Sequence, residues 1–168
     1  MPLVVLIGAS GSGKTTIAHA IEHRHADSVE VFYFDRVGVP STEQMIADYG
    51  SGEEWQRVKT VEWMVKLGQL GKPGSKLLFE GQTRLSSLAE GAAAAGGLVY
   101  RPILLDCDDE TRSRRLSLER KQPELANETM MSWARYLRRE ANQRGCEILD
   151  TSTLSLEQCV SYVTARLS

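Results

Sequence analysis

The chain is poor in cysteine. Its 168 residues hold three, Cys107, Cys146 and Cys159, and none stands in a C-x-x-C pair. An odd, scattered set excludes a disulfide framework and points to a reduced, cytoplasmic setting. Long apolar runs are missing too. None approaches the length of a membrane span. The first, Leu3–Ile7, has no basic stretch before it and is expected to be a strand, not a signal peptide. Neither charge sign is in excess: the formal net charge is −2, which gives no electrostatic case for nucleic acid or an anionic membrane. There is no internal repeat. His19 and His23 have i, i+4 spacing, but no H-E-x-x-H and no third ligand accompany them, so a solvated helix face is expected there.

What remains is ordinary globular material, 42% hydrophobic and 25% charged, in a length that suits one domain with a full core. Within it one stretch stands out. Gly8-Ala9-Ser10-Gly11-Ser12-Gly13-Lys14-Thr15 fits G-x-x-x-x-G-K-[ST], the phosphate-binding P-loop, between an apolar β-branched run and a helix-like segment. Glycines let such a loop curl, so that its N–H groups converge on an anion at the positive end of the next helix. The nucleotide phosphates are therefore assigned to Gly8, Ser10, Gly11, Ser12, Gly13, Lys14, Thr15 and Thr16. Lys14 is expected to reach the β- and γ-phosphates, and the Thr15 hydroxyl to ligate Mg²⁺.

The rest reads as strands alternating with helices. Residues 3–7 and 29–34 are expected strands, the second ending at Asp35-Arg36. Helices are expected over 14–25, 43–48 (capped by Ser41 or Thr42) and 53–70, the last with Trp55, Val58, Val61 (or Glu62), Val65 and Leu67 on one side. Trp55, Tyr49 and Trp63 could stack on a base or sugar, or simply pack the core. Residues 76–79 form a third strand with Glu80-Gly81-Gln82-Thr83-Arg84 at its end. A helix of small residues covers 86–95. A fourth strand lies within 98–106, its pairing confined by Pro102 to 103–105. Acid-rich Asp108-Asp109-Glu110 opens a helix that Pro123 ends. A helix over 126–143 puts Met130, Trp133, Leu137 and Ala141 on one face and Arg135, Arg138 and Arg139 on the other. A fifth strand covers 146–150. A last helix, 155–167, turns Leu156, Cys159 or Val160, Val163 and Leu167 inward. Half of all basic residues fall between Arg101 and Arg144. Two arginine-bearing helices joined at a proline suggest a movable cover for a transferring phosphoryl group. Short parallel strands with helical crossovers give a three-layer α/β/α sandwich.

With these segments in view, nearly the whole chain resembles the small P-loop kinases: the nucleoside monophosphate, shikimate and gluconate kinases and their relatives. Leu78-Phe79-Glu80-Gly81-Gln82-Thr83-Arg84 is similar to the D-G-F-P-R segment of adenylate kinases, with Thr83 in place of the proline. Asp108–Leu116 is similar to the helix entering their lid, and Glu147–Ser152 to their last strand and adenine-side loop. The resemblance implies a five-stranded parallel sheet of order 2-3-1-4-5 and acceptor-side helices over about 41–70. It also implies a short lid over about 112–128, ATP and Mg²⁺ as cofactors, and a small-molecule acceptor for a monomer or homodimer. It places Lys14, Asp35, Arg112 and Arg115 at the chemistry. Arg120 and Thr151 fall on the nucleotide, and Thr15, Asp35 and Glu80 at the metal. Asp35, Arg36, Glu80, Gln82 and Arg84 fall at the acceptor, with Asp35 pointing to a hydroxyl acceptor and Arg84 to a phosphate. No N-K-x-D reads guanine, no L-S-G-G-Q marks a transporter, and the length is short for ring ATPases with a sensor domain. The expected function is ATP-dependent phosphotransfer. The alternative is an ATP-binding switch module that hydrolyses slowly.

Overall fold

The computed structural model describes residues 1–168. Five parallel strands form one sheet: β1 (Leu3–Ile7), β2 (Glu30–Tyr33), β3 (Leu77–Gly81), β4 (Arg101–Asp106) and β5 (Glu147–Asp150), in the order β2-β3-β1-β4-β5. This is the expected order, and β1 sits at its centre. Every residue of β1 is buried, because both of its edges are paired and both of its faces are covered. That is why it reads as an unbroken apolar run rather than an alternating one.

Seven helices pack around the sheet: α1 (Lys14–Arg24), α2 (Thr42–Tyr49), α3 (Gly52–Leu70), α4 (Leu85–Ala94), α5 (Asp109–Arg114), α6 (Glu128–Arg144) and α7 (Leu156–Thr164). Leu3, Val5 and Ile7 face one core with Trp63, Met64, Leu67, Leu88 and Leu137 from α3, α4 and α6. Val4 and Leu6 face the other, with Ile17 and Ile21 of α1 and Val160 and Val163 of α7. The result is the expected α/β/α sandwich. Helix ends follow local rules. Ser41, Ser51, Asp108, Asn127 and Ser155 each accept a hydrogen bond from the backbone three residues on, and Gly145 ends α6 at φ 64°.

Several expected boundaries shift. β3 runs on through Glu80 and Gly81, paired with Leu6 and Ile7 of β1. β2 stops at Tyr33, so Asp35 lies in a 3₁₀ turn, Phe34–Val37. Pro102 belongs to β4 and pairs in register with Val5. It is tolerated because β5 pairing starts only at Ile103. The buried side of α3 is Trp55, Thr60, Trp63, Met64 and Leu67, not the valines at 58, 61 and 65. Trp55 and Trp63 are therefore core residues. In α6, Met131 and Ala134 are buried instead of Met130 and Trp133. Leu156 of α7 is exposed. The helix expected to run to Pro123 ends early, and a π turn, Arg115–Glu119, follows α5. No helix is long and apolar enough to cross a membrane.

Candidate active site

The loop between β1 and α1 lies at the carboxyl end of the sheet, where open α/β folds bind ligands. Its glycines are needed where they stand. A Cβ on Gly8 would come within 2.5 Å of the Leu105 carbonyl oxygen, and Gly11 and Gly13 have φ of +81° and +91°. Three side chains hold the loop from below and beside. Arg112, fully buried, donates to the Ser10 carbonyl at 2.8 Å and pairs with Asp106 at 2.9 Å. Arg115 donates to the Gly11 carbonyl and to both the hydroxyl and the carbonyl oxygen of Thr151. The Thr151 hydroxyl donates in turn to the Ser12 carbonyl at 2.8 Å. Arg112 thus braces the loop and does not enter the cavity above it.

Above the loop lies a cavity of about 230 Å³ lined by polar residues, among them Lys14, Thr15, Arg115 and Arg120. Lys14 is buried, and that burial depresses its ammonium below the ordinary lysine value, while Glu80 and Asp35 pull it back up. Burial also raises the Glu80 carboxyl above the ordinary value, and Lys14 opposes the rise. The Thr15 hydroxyl donates to Glu80 at 3.3 Å. A lysine, a hydroxyl and the Glu80 carboxylate thus meet beside the P-loop, and exposed Asp35, beyond the end of β2, lies near enough to act on the charges of Lys14 and Glu80. Their hydroxyl and carboxylate oxygens are the hard donors that fit Mg²⁺ shared with phosphates. A second cavity of about 360 Å³ adjoins the first, lined by Ile17, Leu154, Leu156 and Cys159 with Thr151 and Ser152.

On the other side of the loop, Gln82 links three elements. Its amide nitrogen donates to Ser10 Oγ at 2.8 Å, and its amide oxygen accepts from Trp133 Nε1 at 3.1 Å. Gln56 of α3 donates to the Gln82 carbonyl and accepts from Arg84. The Arg84 guanidinium lies over the rings of Trp133 and Tyr136, which are stacked at 5.5 Å. Arg84 is therefore held in place by Gln56 and the two rings. Arg36 is turned away, over the Tyr33 ring and toward Glu22, so it does not join the others. Thr16 is exposed at the start of α1. Arg138, expected on a solvated face, pairs with Asp106 at 2.5 Å.

Four contributors were not singled out from sequence: Asp106, Gln56, Trp133 as a hydrogen-bond donor, and Glu119, which lines both cavities. Asp106 had a usable signal, since like Glu80 it directly follows the apolar residues of a strand. Gln56 and Trp133 carried none, because their partners come from distant parts of the chain.

Sheet order, glycine cradle and buried lysine together define a P-loop nucleotide-binding fold. A family model described as AAA domain matches residues 4–150, from the central strand to the end of β5, and the chain belongs to that family. Similar solved structures carry the fold of small P-loop kinases. A sugar kinase from a Janibacter species is 19% identical, with 99% of this chain and 94% of that one covered, at a TM-score of 0.68. A shikimate kinase from Acinetobacter baumannii, solved with shikimate, is 14% identical over 98% and 91%, at 0.63. The Mycobacterium tuberculosis APS kinase, solved with AMPPNP and APS, is 18% identical over 99% and 96%, at 0.64.

Proposed function

We propose that the protein is an ATP-dependent phosphotransferase acting on a small hydroxylated acceptor. The observation that carries this reading is the polar cavity above the P-loop, lined by Lys14 and Thr15, with Glu80 accepting from the Thr15 hydroxyl and Glu80 and Asp35 both acting on the charge of Lys14. Names of similar structures, kinases for shikimate, a sugar and APS, support it.

In this reading the loop N–H groups and Lys14 hold the β- and γ-phosphates. Thr15, with Glu80 and Asp35, would hold Mg²⁺, which neutralises charge on the phosphates when bound. Arg120, exposed on the cavity wall, and Arg115, fixed by Thr151, supply positive charge to the transferred group. Such transfer depends on positioning and charge stabilisation more than on covalent chemistry. Asp35 stands at the carboxyl end of β2, free of the sheet, and accepts the proton of an acceptor hydroxyl. Arg84 and its aromatic platform take an anionic substituent of the same molecule. On this reading a hydroxyl at Asp35 and an anion at Arg84 are two ends of one acceptor, not rival acceptors.

The test is ADP release across hydroxylated carboxylates, sugar acids, nucleosides, nucleoside monophosphates and aminoglycosides. One class should accelerate release strongly, and Lys14→Ala should lower that rate by at least about 10²–10³-fold. Slow hydrolysis indifferent to every compound, with a stable protein partner, would instead establish the switch module. Turnover that survives Lys14→Ala would remove the P-loop from the chemistry.

A further inference from the structure

The two cavities beside the P-loop share a boundary. Gly13, Thr16, Arg115 and Glu119 line both. One cavity is polar and lies over Lys14 and Thr15. The other has apolar walls from Ile17, Leu154 and Leu156. In a nucleoside triphosphate the pentose joins the base to the phosphates. If the phosphates fill the first cavity and the base the second, the sugar falls on their boundary.

The four boundary residues are not equal partners for a sugar. Gly13 has no side chain. Thr16 lies in the first turn of α1, and its hydroxyl both donates and accepts, so it does not favour hydroxyl donors over a phosphate. Arg115 is already committed to Gly11 and Thr151 by three hydrogen bonds. Glu119 closes the π turn, is exposed, and makes no side-chain hydrogen bond or ion pair within the chain. A carboxylate beside a triphosphate cavity repels phosphate. It accepts hydrogen bonds and donates none. The chemistry it suits there is a pair of hydroxyl donors.

Building on the nucleotide reading given above, we infer that Glu119 accepts hydrogen bonds from the vicinal 2′- and 3′-hydroxyls of the donor nucleotide and makes the site selective for ribonucleotides. Glu119 is a specificity residue of the donor site. It takes no part in the transfer step.

Calorimetric titration of the full chain with ATP, 2′-deoxyATP and 3′-deoxyATP tests this, beside Glu119→Ala and Glu119→Gln. The three nucleotides carry the same triphosphate, so relief of repulsion on removing the carboxylate moves all three affinities together and cancels in their ratio. The unaltered protein should bind ATP about tenfold tighter than either deoxynucleotide, as expected for a hydrogen bond to a charged acceptor. Glu119→Ala should bring all three within about twofold. Glu119→Gln, which keeps one acceptor oxygen, should retain about threefold, near the value of a neutral hydrogen bond. Circular dichroism should show both variants folded, since the side chain is exposed. Equal binding of the three nucleotides to the unaltered protein, or a preference that survives Glu119→Ala, would overturn the assignment while leaving nucleotide binding intact. Failure of all three to bind the folded protein would overturn the assignment and the nucleotide reading together.

Discussion

Arg112 and Arg120 belong to one basic stretch, yet burial divides their work. Arg112 is 0% exposed and bridges Asp106 to the Ser10 carbonyl. Removing it leaves a buried carboxylate with Arg138 alone and a P-loop carbonyl without its donor. Arg112→Ala should therefore cost about 3–5 kcal/mol, as for other broken buried pairs, visible as a lower denaturant midpoint. Arg120 is exposed on the polar cavity above the P-loop. Arg120→Ala should leave stability within about 0.5 kcal/mol and lower kcat on the order of 10²-fold. An unchanged kcat would place Arg120 away from the transferred group. Burial also governs the thiols. It pushes Cys146 up to about 11, so at pH 8 very little thiolate is present. Alkylation there by iodoacetamide, followed by mass spectrometry, should run about a hundredfold slower than for an ordinary thiol. The rate should climb with pH until about 11, because the raised value keeps the unreactive thiol form below it.

The packing of α3, α4 and α6 shows which features of an element can be read from its own residues. Strands were legible because central parallel strands are short apolar runs, and helix starts because Ser41, Asp108 and Ser155 announce them. The inward face of α3 was not. Val58, Val61 and Val65 suggest one stripe, but the helix is rotated onto Thr60, Met64 and Leu67 by contacts from elsewhere. Thr60 bonds Thr83 at 2.6 Å. Gly91 of α4 lets the Met64 side chain approach so closely that a Cβ there would lie 2.7 Å from it. Gly91→Ala should cost about 1–3 kcal/mol by overpacking, measured by urea denaturation, although alanine is the better helix former. Glu140 is the second fastening. From α6 it accepts from the Leu85 and Ser86 N–H groups at 2.8 and 2.9 Å, capping α4 from another helix. No spacing in α4 reveals that cap. Glu140→Ala should lose about 2–3 kcal/mol, the scale of hydrogen bonds to a charged acceptor.

At the scale of the molecule, the sheet separates two cores, and the site sits where β1, β3, β4 and β5 all end on one edge. The P-loop was legible because its chemistry is contiguous. Asp106, Gln56 and Trp133 were not, because they meet it only after the chain has folded. That distribution has a thermodynamic consequence. The P-loop is tied to α5 through Arg112, to the π turn through Arg115, to β5 through Thr151 and to α6 through Gln82 and Trp133. All four elements lie in the second half of the chain and the P-loop in the first, so the cavity exists only in the folded protein. A nucleotide bound there favours the folded state alone, and at about 100 times its Kd it should stabilise by about 2.7 kcal/mol. For a chain of this size that corresponds to a rise in Tm of about 5–10 °C. Lys14→Ala should keep the unliganded Tm or raise it, since it removes a buried charge held below its ordinary value, and should abolish the rise with ATP. Thermal denaturation of both proteins with and without ATP checks this. A folded protein whose Tm ignores saturating ATP, or a Lys14→Ala variant that keeps the full rise, would show that the cavity above the P-loop is not where the nucleotide binds.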